Sequence, residues 1–88
     1  MAPDPEDMRK MLVRLVRELV SNPDAVSVQM TESGTSVLLL LRVARSDIGK
    51  IVGAKGATAD SIRRILKGLG AREGRKYTLH IDECDAGA

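Results

Sequence analysis

The chain has no phenylalanine, no tryptophan and a single tyrosine, Tyr77. Proteins that hold single strands by stacking bases on aromatic rings need several rings on one face, so an OB-fold or RRM-type stacking platform is excluded. One cysteine, Cys84, excludes an internal disulfide. Together with the one histidine, His80, it also excludes a zinc site of the usual Cys/His kind. No metal or cofactor is expected. The lack of disulfides fits a reducing compartment, and a cytoplasmic location is the expectation. Long apolar runs are missing too. The longest, residues 37–41, falls far short of the ~20 residues a membrane span requires, so no membrane insertion is expected. The early residues include Asp4, Glu6 and Asp7 and lack the apolar stretch of a secretory leader, so none is expected. There is no internal repeat and no low-complexity segment.

What is present is enough for one small domain with one core: 88 residues with an apolar fraction of 43%. The net charge of +2 is modest but unevenly spread. Residues 45–76 hold nine basic and three acidic residues, a net of +6, and the remainder holds five and nine, a net of −4. A basic half points to a polyanionic partner, although charge alone favours the plainer reading of a solvated helix face.

Asp4-Pro5 reads as a helix start, with a capping carboxylate and proline at the first helical position. Met8, Met11, Leu12, Leu15, Val16, Leu19 and Val20 then recur at intervals of three and four, one apolar stripe along a helix of about four turns. Asn22-Pro23-Asp24 stops it. Val26, Val28 and Met30 alternate with Ser27, Gln29 and Thr31 as a half-buried strand, and Glu32-Ser33-Gly34-Thr35 is a hairpin turn. The near-continuous apolar run from Val37 to Val43 reads as a central strand covered on both faces. If helices cover only one face, Leu38 and Leu40 lie uncovered beside Gln29 and Thr78. Ser46 is read as the cap of a short helix over 47–52. A turn at 53–56 follows, then a longer helix with Ala59, Ile62, Ile65, Leu66 and Leu69 inward and Arg63, Arg64 and Lys67 outward. Gly68 and Gly70 end it, with Gly70 as the C-cap. Tyr77, Leu79 and Ile81 alternate with Thr78, His80 and Asp82 as the last strand, and residues 83–88 form a loose tail. The order α-β-β-α-α-β predicts an α+β fold: an antiparallel hairpin, a right-handed two-helix crossover to a third strand parallel to the second, and helices on one face of a three-stranded mixed sheet.

The glycines decide the chemistry. Gly49 and Gly53 fail the spacing of a P-loop, and Ala54 stands where its lysine belongs. The run Gly68-Leu69-Gly70 misses the third glycine of a dinucleotide fingerprint by one place and closes a helix instead of opening one. Both enzymatic readings fail. With no nucleophile or acid placed to work with His80, no catalytic role is expected. The remaining pattern is helix, Gly53-Ala54-Lys55-Gly56, helix. Glycines at both corners remove the Cβ atoms that would keep another backbone away, and the following helix offers free N–H groups and the positive end of its dipole. An anionic backbone is the natural occupant.

The run Ile48-Gly49-Lys50-Ile51-Val52-Gly53-Ala54-Lys55-Gly56, with Thr58 and Ile62 downstream, resembles the KH domain, a binder of single-stranded RNA or DNA. The extra helix and strand on the N-terminal side make the order similar to a type II KH domain over about residues 5–82. Chain length, opening helix and the Asn22-Pro23-Asp24 turn resemble the KhpA family of small bacterial KH proteins. The resemblance implies a non-catalytic single-stranded RNA binder, an RNA chaperone or post-transcriptional regulator. Its loop, Gly53, Ala54, Lys55 and Gly56, would hold phosphates, and Lys50, Arg63 and Arg64 would add attraction. Ile48, Ile51 and Val52, with some of Leu39, Leu41 and Val43, would lie under the bases, unless they are ordinary core. Arg42 or Arg45 would stand at the groove edge. The family often carries two polar or basic residues in the loop. Here Ala54 leaves one charge, so weak binding of low sequence specificity is expected. The resemblance also implies a homodimer, or a heterodimer with a larger Jag-type KH protein (KhpB), and a link to cell elongation and division. A ribosome-associated factor is the third reading.

Overall fold

The computed structural model describes residues 4–83. Glu83, expected to begin the loose tail, pairs with Val43 in the last strand, and the remainder of that tail, with Cys84, lies outside the described residues. The elements are α1 (Pro5–Leu19), β1 (Ser27–Ser33), β2 (Ser36–Val43), α2 (Ile48–Val52), α3 (Ala57–Arg72) and β3 (Lys76–Glu83), with short 3₁₀ turns at Pro23–Ala25, Arg45–Asp47 and Ala54–Gly56. The chain is α+β in the expected order α-β-β-α-α-β.

Asp4 caps α1: its carboxylate accepts from the Asp7 amide at 2.8 Å, and Pro5 takes the first helical position, where a missing N–H costs nothing. The apolar stripe is narrower than its sequence period suggests. Met8, Leu12 and Val16, four residues apart, are buried, whereas Met11, Leu15 and Leu19 are exposed. The reason is packing. α1 lies over β1 and touches α2, while α3 lies over β3. A helix seated on one layer buries one row of side chains, and the neighbouring row faces solvent.

The sheet order is β1-β2-β3, with β1 antiparallel and β3 parallel to β2. Ser33 pairs with Ser36, so Gly34 and Thr35 form a two-residue loop. The positive φ of Gly34, at the first central position, is what a type II′ turn requires. The period-2 alternation along β2 sorts its side chains by face. Val37, Leu39, Leu41 and Val43 turn toward the helices and form the core with Val28, Ile51, Ile62, Leu66, Tyr77 and Leu79. Ser36, Leu38, Leu40 and Arg42 turn the other way, so β2 is covered on one face and not on two. Leu38 is 42% exposed there.

Three further expectations are corrected. Ser46 does not cap α2: it lies in the Arg45–Asp47 turn, and Asp47 precedes the helix with no capping hydrogen bond of its own side chain. Ile65 points outward, 54% exposed. α3 runs through both glycines to Arg72, and Gly74, at φ 68°, supplies the left-handed residue that Gly70 was expected to provide. Gly70 serves packing instead. A Cβ there would stand 2.6 Å from both the Arg75 carbonyl oxygen and the Tyr77 ring, so its absence lets the start of β3 close onto the helix.

Candidate nucleic-acid interface

The turn between α2 and α3 is an exposed break in the helix pair. Gly53 (φ 74°, ψ −179°), Lys55 (φ 54°, ψ 29°) and Gly56 (φ 78°, ψ 8°) all occupy positive φ. Two are glycines, for which this is inexpensive; Lys55 is the only non-glycine among the described residues to do so. The two glycines differ in role. A Cβ on Gly53 would lie 2.3 Å from the Thr58 hydroxyl, so this corner is closed by the first turn of α3. A Cβ on Gly56 would meet nothing within 4 Å, so that corner stands open to an approaching chain. Ala54 and Lys55 are exposed and both glycines are half-buried. The Gly53 amide is used by the Gly49 carbonyl at 2.9 Å and the Gly56 amide by the Gly53 carbonyl at 3.3 Å. The Ala57 amide, the first of α3, is used by the Ala54 carbonyl, and the start of α3 adds the positive end of its dipole.

The other expected site residues divide. Ile48 and Val52 are half-buried, with aliphatic surface to spare, but Ile51 is fully buried and supports the loop from beneath. Leu39, Leu41 and Val43 are core and offer nothing to a ligand. Lys50 is exposed but engaged: its ammonium lies 3.4 Å from an Asp47 carboxylate oxygen and donates to the Ser21 hydroxyl. Arg42, expected at the groove edge, lies on the sheet face turned away from the helices, and its Nε is buried without a hydrogen-bond partner among the described residues. Arg45 is exposed and faces Glu83 at 3.5 Å. Arg63 and Arg64 are exposed on α3, and Arg63 pairs with Asp60 at 3.7 Å.

Sequence reasoning did not assign the cleft between α3 and β3. Arg63, Lys67 and Ala71 line one wall and Arg75, Lys76, Tyr77, Thr78 and Leu79 the other, around about 470 Å³. Four of these eight side chains are cationic. Tyr77 is 9% exposed, and its hydroxyl has no hydrogen-bond partner among the described residues. Burial pushes the phenol above its ordinary pKa, with Arg75 working in the opposite direction, so the group stays a neutral O–H donor. The signal for this cleft was present in the sequence: Arg63, Lys67 and Ala71 are spaced by four on one helix face, and Arg75-Lys76 opens the strand alongside. What was missing was the position of β3 against that face. Together, the loop and the cleft can hold phosphates at one end and further anionic or hydrogen-bonding groups along α3.

Comparison with known proteins agrees with this geometry. The profile of the KhpA/KhpB KH domain matches residues 9–81. The RNA-binding protein KhpA of Chlamydia trachomatis is 34% identical over 76 residues, covering 86% of this chain and 97% of that protein. The RNA-binding protein KhpA of Borreliella burgdorferi is 39% identical over 67 residues, 76% of this chain and 82% of its own length. Among solved structures, Era of Aquifex aeolicus superposes with a TM-score of 0.53 at 16% identity, over 86% of this chain and 29% of that one, a likeness of fold. With the profile spanning most of the chain and relatives of 34% and 39% identity covering it, the chain belongs to the KhpA/KhpB KH-domain family.

Proposed function

We propose that the protein binds single-stranded RNA without catalysis, gripping the sugar-phosphate backbone at residues 53–56. The carrying observation is the exposed loop with three left-handed residues, open above Gly56 and followed directly by the start of α3. The relatives that share most of the chain are RNA-binding proteins by name. KH loops clamp about four backbone nucleotides and do not depend on aromatic stacking, in keeping with a chain that has one buried tyrosine. Ile48 and Val52 give bases an aliphatic surface beside the loop. Lys67 lies eleven residues beyond Gly56, about 16 Å along the helix axis, so the cationic cleft prolongs the track beyond the loop. Lys55 is the loop's one charge and Lys50 is partly neutralised by Asp47, which favours weak, sequence-tolerant binding and a role as RNA chaperone or post-transcriptional regulator.

The test is the double substitution Ala54→Asp with Lys55→Asp, measured by fluorescence anisotropy on a labelled single-stranded RNA. The protein is expected to stay folded and to lose at least about tenfold in affinity, since two new negative charges face the backbone. An unchanged affinity in a folded variant removes the loop from the site.

A second reading, assembly through the uncovered sheet face, is favoured by Leu38 at 42% exposure beside half-buried Leu40. A homodimer, or a heterodimer with a KhpB/Jag-type KH protein, would cover it and add avidity to a single weak site. Sedimentation over a range of concentrations tests the homodimer, and a concentration-independent monomer counts against it.

A further inference from the structure

Asp47 is the one buried charged side chain among the described residues, and RNA contact makes no use of it. Its carboxylate accepts from the Ser21 amide at 3.1 Å, the Asn22 amide at 3.0 Å and the Asn22 side-chain amide at 3.1 Å, and Lys50 stands 3.4 Å away. Asn22 also reaches the Ser46 hydroxyl at 3.5 Å. Asp47 therefore joins the end of α1 to the head of α2, across 25 residues of sequence. α2 has five residues, too few to hold itself together by helical hydrogen bonds alone. Its placement depends on what anchors it: Ile51 in the core and Asp47 at its head. Its last residue, Val52, leads straight into Gly53. Burial disfavours the ionised carboxylate, but the hydrogen bonds from Ser21, Asn22 and Lys50 outweigh that cost and hold its pKa below the ordinary value.

We propose that Asp47 is a positioning residue for the strand-binding loop: by clamping the turn at residues 21 and 22 to the head of α2, it fixes the direction in which residues 53–56 leave that helix and the place where Lys50 stands. The proposal rests on the RNA-binding reading. It has a discriminating sign. The Asp47 charge repels a polyanion, so if charge were its only effect, its removal would tighten binding. If it positions the loop, removal weakens binding.

The experiment uses the full chain with Asp47→Asn, which keeps the side-chain volume, and with Asn22→Ala, which removes one arm of the clamp. Binding of labelled oligouridylate is measured by anisotropy and corrected for the folded fraction from thermal melts, and amide hydrogen exchange is followed at residues 53–57 in the free proteins. Asp47→Asn is expected to bind about tenfold more weakly despite the loss of a negative charge, with faster exchange at 53–57 and unchanged protection in β2. Asn22→Ala is expected to move both readouts in the same direction by less. Unchanged exchange at the loop, or binding per folded molecule that is unchanged or tighter, overturns the proposal. Should Asp47→Asn fail to fold, Asn22→Ala decides by the same two readouts. A wild-type chain that does not bind oligouridylate sinks the RNA reading, while loop exchange still decides what Asp47 does.

Discussion

Single atoms govern several parts of this molecule. At Gly70 the missing Cβ admits the Arg75 carbonyl and the Tyr77 ring at 2.6 Å. Gly70→Ala is expected to destabilise the fold by about 1–3 kcal/mol, because backbone and a buried ring must both move, whereas Gly68→Ala, with open space around it, is expected to raise stability slightly through helix propensity. Urea melts of the two variants check this. Asp47 gives a pH dependence of definite sign. Burial raises its pKa, but its donors lower it further, to below the usual 3.8. Its contribution to stability is therefore complete above that value and is lost as pH falls through the lower native value. Glu6 moves in the same sense through its hydrogen bond to Arg9, but that pair is on the surface and adds little. Melting temperatures between neutral pH and strong acid should thus fall less steeply for Asp47→Asn than for wild type. At this scale the sequence was partly legible. Glycine at 53 and 56 announced a turn that another backbone can approach, but that one corner faces Thr58 and the other faces solvent depends on the path of α3. A buried aspartate 25 residues from its partner leaves no local trace.

Among the elements, periodicity named α1, β1, α3 and β3, short apolar runs between turns named β2 and α2, and what these patterns missed was how far each element is covered. The stripe from Met8 to Val20 satisfies a helical period on two adjacent rows, yet one layer of sheet buries only the row of Met8, Leu12 and Val16. Leu12→Ala is expected to cost about 2–5 kcal/mol, while Met11→Lys stays within about 0.5 kcal/mol, as chemical denaturation would show. The same limit explains Ile65 and the open face of β2: the alternation in Val37–Val43 is hidden in the sequence because Leu38 and Leu40 are apolar on the wet side as well. It also explains Arg42. The resemblance suggested a place at the groove edge, but strand parity turns Arg42 to the sheet face away from the helices. The end of α3 was misjudged because Gly70 has a packing role that helix propensity does not encode.

For the molecule as a whole, the charge asymmetry becomes spatial: Lys55, Arg63, Lys67, Arg75 and Lys76 run from the loop along α3 to the cleft beside β3. The basic half was legible from composition, and the track was not, because it needs β3 folded back against the helix. RNA affinity is expected to fall with salt, with a slope of about 0.7 per phosphate neutralised on a single strand, and Lys67→Glu should lower that slope on a long oligonucleotide while leaving a tetranucleotide nearly unaffected. Anisotropy titrations at several salt concentrations test this. The most direct measurement of the central claim is a titration of the isotopically labelled protein with single-stranded RNA, following backbone amide resonances. The account predicts the largest perturbations at residues 53–57, extending to Lys67 and Arg75. Perturbations confined to the open sheet face around Leu38 and Leu40, with the loop amides unmoved, would contradict it.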